Sequence, residues 1–178
     1  MPTENELKII IDINCESAVN KLSTDQLEIS QGYLIATRGI TCRVRKSVRR
    51  RGKKSEFFFT LKVNTAGRVV EIEKNLDERD FNDLWDIALN KLEKIRYIVK
   101  HDGMIWELDF FKDYRNETYM AVAEIEMPEG QLEPNSIPDI VKNNLIFKVP
   151  LNDSRFSNKL LASERYVVEL LKEIKNEI

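Results

Sequence analysis

Residues 40–45 read Ile-Thr-Cys-Arg-Val-Arg and alternate apolar side chains with polar or cationic ones. Successive side chains of a β-strand point to opposite faces of a sheet. The pattern therefore predicts a strand with Cys42 and Val44 on one face and Arg43 and Arg45 on the other. The alternation extends to Val48 and ends at the basic loop 49–54.

The same two-residue spacing of charged or polar side chains occurs in six other segments of the chain. They are Glu4/Glu6/Lys8, Thr60/Lys62, Glu71/Glu73, Lys94/Arg96, Glu107/Asp109 and Glu124/Glu126. Each pair shares one face of its predicted strand. If these faces line a common cavity, that cavity contains both cations and carboxylates, which suits a polyanion held together with a metal ion.

The order of predicted elements favours an α+β fold. Eight strands are predicted, over 6–14, 31–37, 40–48, 57–63, 69–74, 95–99, 104–111 and 119–127. Helices are predicted over 17–27, 77–92, 136–144 and 157–175. Because strands and helices do not alternate regularly, we expect a mainly antiparallel sheet. Eight such strands can close into a β-barrel with a lined interior and helices packed outside, formed by a single domain, residues 1–178.

The alternation does not determine which face of the sheet is inside. Antiparallel sheets often bury an apolar face and expose a charged one. The opposite arrangement has the apolar faces outside, beneath the amphipathic helices, and the charged faces inside. Carboxylates two residues apart repel each other, so their burial requires cations on neighbouring strands or a divalent metal.

The composition indicates where the protein is expected to be located and which partners are not expected. The net charge is −2, from 28 basic and 30 acidic residues, so no overall attraction to nucleic acid or membrane is expected. The N-terminus is acidic and lacks an apolar run, and no segment approaches the ~20 apolar residues of a membrane span. Two cysteines without metal or redox spacing are typical of free thiols in the cytoplasm. The single histidine, His101, lies in a predicted turn, which argues against a Ser-His-Asp or Cys-His site.

These motifs in this order resemble the CYTH domain, or triphosphate tunnel metalloenzyme, family. The family signature Glu-x-Glu-x-Lys corresponds to residues 4–8. Further similarity lies at 31–34 (QGYL), 43–45 (RVR), 60–62 (TLK), 71–74 (EIEK), 94–97 (KIRY), 106–109 (WELD), 123–126 (AEIE) and 153–158 (DSRFSN). The family includes class IV adenylate cyclases, thiamine triphosphatases and inorganic triphosphatases. The ordered set is more specific than any one motif.

The resemblance implies an eight-stranded antiparallel tunnel that holds a triphosphate, and it suggests roles for the charged residues. The expected substrate-binding residues are Lys8, Arg43, Arg45, Lys62, Lys94, Arg96 and Arg155. The expected ligands of Mg²⁺ or Mn²⁺ are Glu4, Glu6, Glu124 and Glu126, because hard cations prefer oxygen donors. The expected catalytic set, which orients cations, metal or water, is Glu6, Lys8, Glu71, Glu73, Glu107 and Asp109. The C-terminal helix is expected to close one tunnel end, near Arg155 or Lys159.

Three functions remain open at this stage. The first is a metal-dependent triphosphatase acting on inorganic tripolyphosphate or a similar small triphosphate, such as ATP or thiamine triphosphate. The second is a class IV type adenylate cyclase, which would make cyclic AMP and pyrophosphate from ATP. The third is a non-catalytic polyphosphate- or nucleotide-binding module. A homodimer is compatible with each of them, and no nucleic-acid or membrane partner is expected.

Overall fold

A computed structural model describes residues 5–37, 39–65, 68–151 and 153–177. Within these ranges the chain forms a single sheet of β-strands. The strands are β1 (Glu6–Ile11), β2 (Asp25–Thr37), β3 (Ile40–Arg49), β4 (Ser55–Thr65), β5 (Arg68–Asn75), β6 (Asn90–His101), β7 (Met104–Lys112), β8 (Thr118–Glu126) and β9 (Leu145–Lys148). The α+β class and the antiparallel sheet predicted from the sequence are therefore confirmed.

The helices of the described ranges are short, except for the last one. They are α1 (Glu16–Leu22), α2 (Glu78–Asp86), α3 (Asp139–Lys142), α4 (Asn158–Leu161) and α5 (Glu164–Glu177). None of these helices has the length and the apolar content that a membrane crossing requires.

The strand order of the sheet is β5-β4-β3-β2-β6-β7-β8-β1-β9, and the paired strands are antiparallel. The sheet resembles a barrel but is open, because no pairing joins its edge strands β5 and β9 in the part of the chain that the structure describes. The sequence predicts eight strands and closure. The ninth strand, β9, is added beside β1, where Ile10 lies opposite Phe147.

Several predicted elements have different bounds in the structure. Strand β2 begins at Asp25, within the predicted helix 17–27, and pairs with β6 over 25–33 and with β3 over 27–37. The predicted helix 77–92 ends at Asp86, because the chain then enters β6. The predicted C-terminal helix 157–175 is divided into α4 and α5 around residues 162–163. In the predicted helices 17–27 and 77–92, the apolar residues have helical spacing, but pairing within the sheet determines the conformation of the final residues.

The outer face of the sheet is apolar and carries α1, α2 and α3. A large core cluster joins Trp106, Leu108 and Phe110 of β7 to Val19 of α1 and Val141 of α3. At the other end of the sheet, α2 packs on β2 and β4 through its aromatic side chains. The Phe81 and Phe57 rings lie 5.3 Å apart there. The helix-covered outer face leaves the opposite face of the sheet for the charged side chains.

Part of the opposite, inner face is also apolar, and the C-terminal helices pack on it. Ile10, Phe111 and Val122 point to this face and form a second core cluster with Leu170 and Ile174 of α5. The C-terminal segment therefore fills one end of the inner face, in agreement with the expectation that it closes one end of the site. The charged residues occupy the rest of this face.

Close packing of α2 on β2 predicts that Gly32→Ala destabilises the fold. A Cβ atom at Gly32 would lie 2.8 Å from the Ala88 Cβ, just after α2, and 3.2 Å from the Trp85 Cε3, so the end of α2 and the residues that follow it must shift. The free energy of unfolding should fall by about 1–3 kcal/mol, as measured by urea denaturation. Glu28→Ala, at an exposed position of the same strand, is the control and should change stability by less than about 0.5 kcal/mol. Equal stability of the two variants would contradict this packing.

Candidate functional site

A cavity of about 1040 Å³ lies on the inner face of the sheet. Its lining residues come from β1 to β8 and from the start of α4. Among them are eleven of the charged residues singled out in the sequence: Glu6, Lys8, Arg43, Arg45, Lys62, Glu71, Lys94, Arg96, Glu107, Glu124 and Glu126. The charged rows of separate strands therefore face one shared cavity.

One wall of the cavity is cationic and is built by β3 and β4. Arg43 lies directly opposite Thr60 in the sheet, and Lys62 lies opposite Thr41, so their side chains share the inner face. The Nε atoms of Arg43 and Arg45 are buried, and no described residue accepts a hydrogen bond from either. Buried N–H groups in proteins almost always have an acceptor. An anion with several oxygens, bound in the cavity, would supply these acceptors.

The other wall is acidic and is built by β1 and β8. Glu6 lies opposite Glu126, and Lys8 lies opposite Glu124. The Lys8 Nζ is 3.0 Å from the Glu124 Oε1 and 3.3 Å from the Glu6 Oε2. Burial by itself would lower the pKa of Lys8, but Glu124 and Glu6 outweigh it and raise that pKa. Lys8 is therefore a fixed charge between two carboxylates.

Glu6 is half-buried beside a second carboxylate, Glu124. Burial raises the pKa of Glu6, and the neighbouring Glu124 raises it further. Lys8 and Arg96 lower the same pKa, but they do not offset the increase. A further cation near Glu6 would relieve the repulsion.

The floor of the cavity contains a buried carboxylate between two cations. Asp109 is fully buried, and its Oδ1 and Oδ2 accept hydrogen bonds from the Arg96 Nε and Nη2 at 2.7 Å each. Asp109 Oδ2 also accepts a hydrogen bond from Lys94 Nζ. Burial alone would raise the pKa of Asp109, but Lys94 and Arg96 outweigh it and lower the pKa to about 2. Asp109 lies beneath the cavity and does not line it, so its contact with the site is through these two cations.

Arg96 connects the floor to the acidic wall. Its Nη1 contacts Glu107, and its Nη2 lies 3.5 Å from the Glu124 Oε2. Burial would lower the pKa of Arg96, but Asp109, Glu107 and Glu124 outweigh it and raise that pKa. The guanidinium is therefore permanently charged and held in one orientation at the centre of the sheet.

The carboxylates of the edge strand β5 lie beside the cationic wall. The Glu73 Oε2 accepts a hydrogen bond from the Thr60 Oγ1 at 3.0 Å and is 3.5 Å from the Arg45 Nη2. The Glu71 Oε2 is 3.9 Å from the Lys62 Nζ. Glu71 lines the cavity, whereas Glu73 does not. Both are placed to orient a cation, as the sequence suggested, and their catalytic role stays a prediction.

Three predicted site residues of the described ranges do not line the cavity: Glu73, Asp109 and Arg155. Arg155 lies outside the lining and is 2.8 Å from Asp153 through its Nη2. The neighbouring Lys159, the alternative considered for this segment, does line the cavity. Glu4, predicted as a metal ligand, lies outside the described residues.

Sequence reasoning missed several polar residues of the lining, among them Gln31, Tyr33 and Asn158. Gln31 Nε2 donates a hydrogen bond to the Tyr33 Oη at 2.7 Å, and both side chains are buried. Their two-residue spacing on β2 is the same alternation that identified Arg43 and Arg45, so it could have found them. Asn158 comes from α4, and no strand pattern could have placed it in the cavity.

The acidic wall is compatible with a divalent cation. In the described ranges, no three acidic, cysteine or histidine side chains form a ready-made metal shell. Mg²⁺ is commonly held by only one or two carboxylates, with substrate phosphates and water as the other ligands. Glu6, Glu124 and Glu126 offer hard oxygen donors of this kind. Burial and the neighbouring Glu124 both raise the pKa of Glu6, so a bound cation would stabilise its ionised form.

Solved structures share this fold. No family model and no curated relative matches the chain. The hypothetical protein NE1496 is similar over 90% of this chain and 97% of its own, with 25% identity and a TM-score of 0.56. A "putative adenylate cyclase" (bh2851) from Bacillus halodurans is similar over 86% of this chain and 97% of its own, with 16% identity and a TM-score of 0.56. The second likeness concerns the fold alone.

The buried charge cluster predicts a specific loss of stability in acid. The folded pKa of Asp109 lies below its ordinary value of 3.8, so ionised Asp109 stabilises the fold above about pH 4. That contribution, on the order of 2 kcal/mol, should be lost as the pH falls from about 4 to 2. Asp109→Asn should flatten this part of the pH profile of stability, because the titrating carboxylate is gone.

The same substitution should also destabilise the protein at neutral pH by about 3–5 kcal/mol, because it leaves two buried cations without their counter-ion. Urea denaturation between pH 2 and 7 measures both effects. Asp83→Asn, at an exposed position of α2, is the matched control and should retain the wild-type profile. An acid limb as steep in Asp109→Asn as in the wild type would contradict the assignment.

Proposed function

We propose that the protein processes small triphosphates as an enzyme of the CYTH kind, and that its reaction is metal-dependent hydrolysis of inorganic tripolyphosphate. One observation carries the proposal. A single cavity holds cations on one wall, with the buried Nε atoms of Arg43 and Arg45 unmatched by described acceptors, and carboxylates on the other. A linear polyphosphate with bound metal matches this division of charge.

The cationic wall is suited to phosphate binding. Arg43 and Arg45 each present a planar fork of N–H donors, which can bind two phosphate oxygens at once. Lys62 adds a point charge near them, and Arg96 contributes a second guanidinium from the floor. The Asp109 hydrogen bonds hold Arg96 in place before the substrate arrives, so little ordering is required on binding.

The acidic wall would hold the metal. Glu6, Glu124 and Glu126 would bind Mg²⁺ or Mn²⁺ together with the phosphates, and Glu4 is expected to join them. When bound, the ion would neutralise phosphate charge and polarise the phosphoryl group. Lys8 remains between Glu6 and Glu124 and limits their mutual repulsion.

The reaction would be attack of water on a terminal phosphoryl group. The new bond joins the water oxygen to phosphorus, and the bond from phosphorus to the bridging oxygen breaks, which releases orthophosphate and pyrophosphate. Positioning and charge neutralisation by the cationic wall would supply most of the acceleration, as in other phosphoryl transfers. Glu107 and Glu71 would orient Arg96 and Lys62 during this step.

Adenylate cyclisation is the second candidate function. It is favoured by the fold likeness to bh2851, which is a candidate adenylate cyclase by name. Three apolar residues, Met104, Ile105 and Pro128, also line the cavity and offer a surface for an adenine ring. In this reaction the ribose 3′-hydroxyl would attack the α-phosphate and expel pyrophosphate.

A reducing compartment suits this proposal. Cys15 and Cys42 are both free and buried, and no disulfide contributes to the described structure. We therefore propose a cytoplasmic location, where thiols remain reduced and small phosphorylated compounds are present.

Product analysis distinguishes the candidate functions. Purified protein is incubated with tripolyphosphate, ATP or thiamine triphosphate, with Mg²⁺ or Mn²⁺, and with EDTA as the metal-free control. We expect orthophosphate from tripolyphosphate, in a reaction that requires the metal. Cyclic AMP and pyrophosphate from ATP would instead establish the cyclase. Tight binding of tripolyphosphate without turnover of any of the three triphosphates would indicate a binding module and refute both enzymatic proposals.

Glu126→Gln tests the metal-binding role of the acidic wall. Glu126 is exposed, so the substitution should leave the free energy of unfolding unchanged within about 0.5 kcal/mol. It removes a charged oxygen ligand, and we expect kcat for tripolyphosphate to fall roughly 100-fold or more. Glu129→Gln, an exposed neighbour outside the cavity lining, is the matched control. Full activity of Glu126→Gln would remove Glu126 from the metal ligands.

A further inference from the structure

The C-terminal helices contribute directly to the cavity. Ser157, Asn158 and Lys159, at the start of α4, are lining residues. The segment is held on the inner face by the apolar cluster that joins Phe156 and Leu161 to α5 and to the sheet. The position of α4 in the site therefore depends on how the C-terminal helices dock.

Asn158 makes a hydrogen bond to the floor of the cavity. Its Oδ1 accepts from the Lys94 Nζ at 3.1 Å. Lys94 is only 3% exposed, and its ammonium also contacts Asp109 and lies 5.2 Å from the centre of the Phe111 ring. An ammonium buried to this extent requires acceptors for its three N–H groups. Asn158 supplies one of them from outside the sheet.

Lys94 and Arg96 share the same carboxylate. The Asp109 Oδ2 accepts hydrogen bonds from both cations, and its Oδ1 accepts from Arg96 alone. Without Asn158, Lys94 would have to satisfy its remaining N–H groups at Asp109 or at another carboxylate. Either change would disturb the paired hydrogen bonds that orient Arg96.

We infer that Asn158 is a positioning residue, which holds Lys94 on Asp109 and thereby fixes Arg96 for anion binding. The inference rests on the proposed function, since it takes the bound anion to be a triphosphate. Docking of the C-terminal helices and binding of the anion then reinforce each other. This coupling is reciprocal, so bound triphosphate also stabilises the docked helices.

Calorimetric titration with tripolyphosphate, without divalent metal, tests the first half of the inference. Asn158→Ala removes the acceptor, and we expect the affinity for tripolyphosphate to fall about tenfold, the usual effect of one hydrogen bond to a charged group. Asn82→Ala, at an exposed position of α2, is the matched control and should bind as the wild type does. Equal affinity of Asn158→Ala and the wild type would overturn the inference.

Amide hydrogen exchange on the wild-type chain tests the second half and does not depend on the folding of a variant. Tripolyphosphate should slow exchange in α5 (Glu164–Glu177) more than in α1 (Glu16–Leu22), which lies on the outer face. In Asn158→Ala this preferential slowing should be lost. Equal effects on α5 and α1 in the wild type would refute the coupling.

The two proposals fail in different ways. If the wild type does not bind tripolyphosphate at all, the proposed function is wrong and the inference falls with it. If the wild type binds tripolyphosphate but the affinity of Asn158→Ala or the exchange in α5 does not respond as stated, the role of Asn158 or the coupling is refuted, and the proposed function is left to its own turnover test.

Discussion

The burial of Asp109 between Lys94 and Arg96 is the interaction on which the rest of the site depends. A carboxylate without solvent is unfavourable unless cations and hydrogen bonds compensate it, and here both are present. The three residues join β6 and β7 at the centre of the sheet. Arg96 then reaches Glu107 and Glu124, and Lys94 reaches Asn158 on α4. The floor of the cavity, the acidic wall and the C-terminal helices therefore meet at one charge cluster.

The two faces of the sheet have different roles: the outer face stabilises the fold, and the inner face forms the cavity. The outer face supplies a large apolar core beneath α1, α2 and α3, and the second core under α5 occupies one end of the inner face. Together these two cores offset the cost of gathering like charges in the remaining cavity. The central strands of the site are consequently packed against apolar clusters, which is a suitable support for catalysis by positioning.

Alternation alone predicted much of this arrangement from the sequence. The two-residue spacing placed Arg43 and Arg45, Glu124 and Glu126, and Lys94 and Arg96 on common faces, and the structure brings them to one cavity. The secondary structure predicted from spacing was wrong where pairing with a strand distant in sequence determines the local conformation. Residues 25–27 have helical spacing but pair with β3 and β6, and β9 forms a strand because β1 offers it an edge.

The sequence by itself determined the class of fold, which charged side chains of a strand share one face, and the resemblance that suggests a triphosphate. These are local properties, because the side chains of a strand alternate wherever the strand lies. Only the tertiary structure decided that the charged face is the inner one, that the sheet stays open, and that Asn158 rather than Arg155 reaches the floor. Such facts depend on how distant segments pack together, and the docking of apolar surfaces that controls this packing leaves no fixed spacing in the chain.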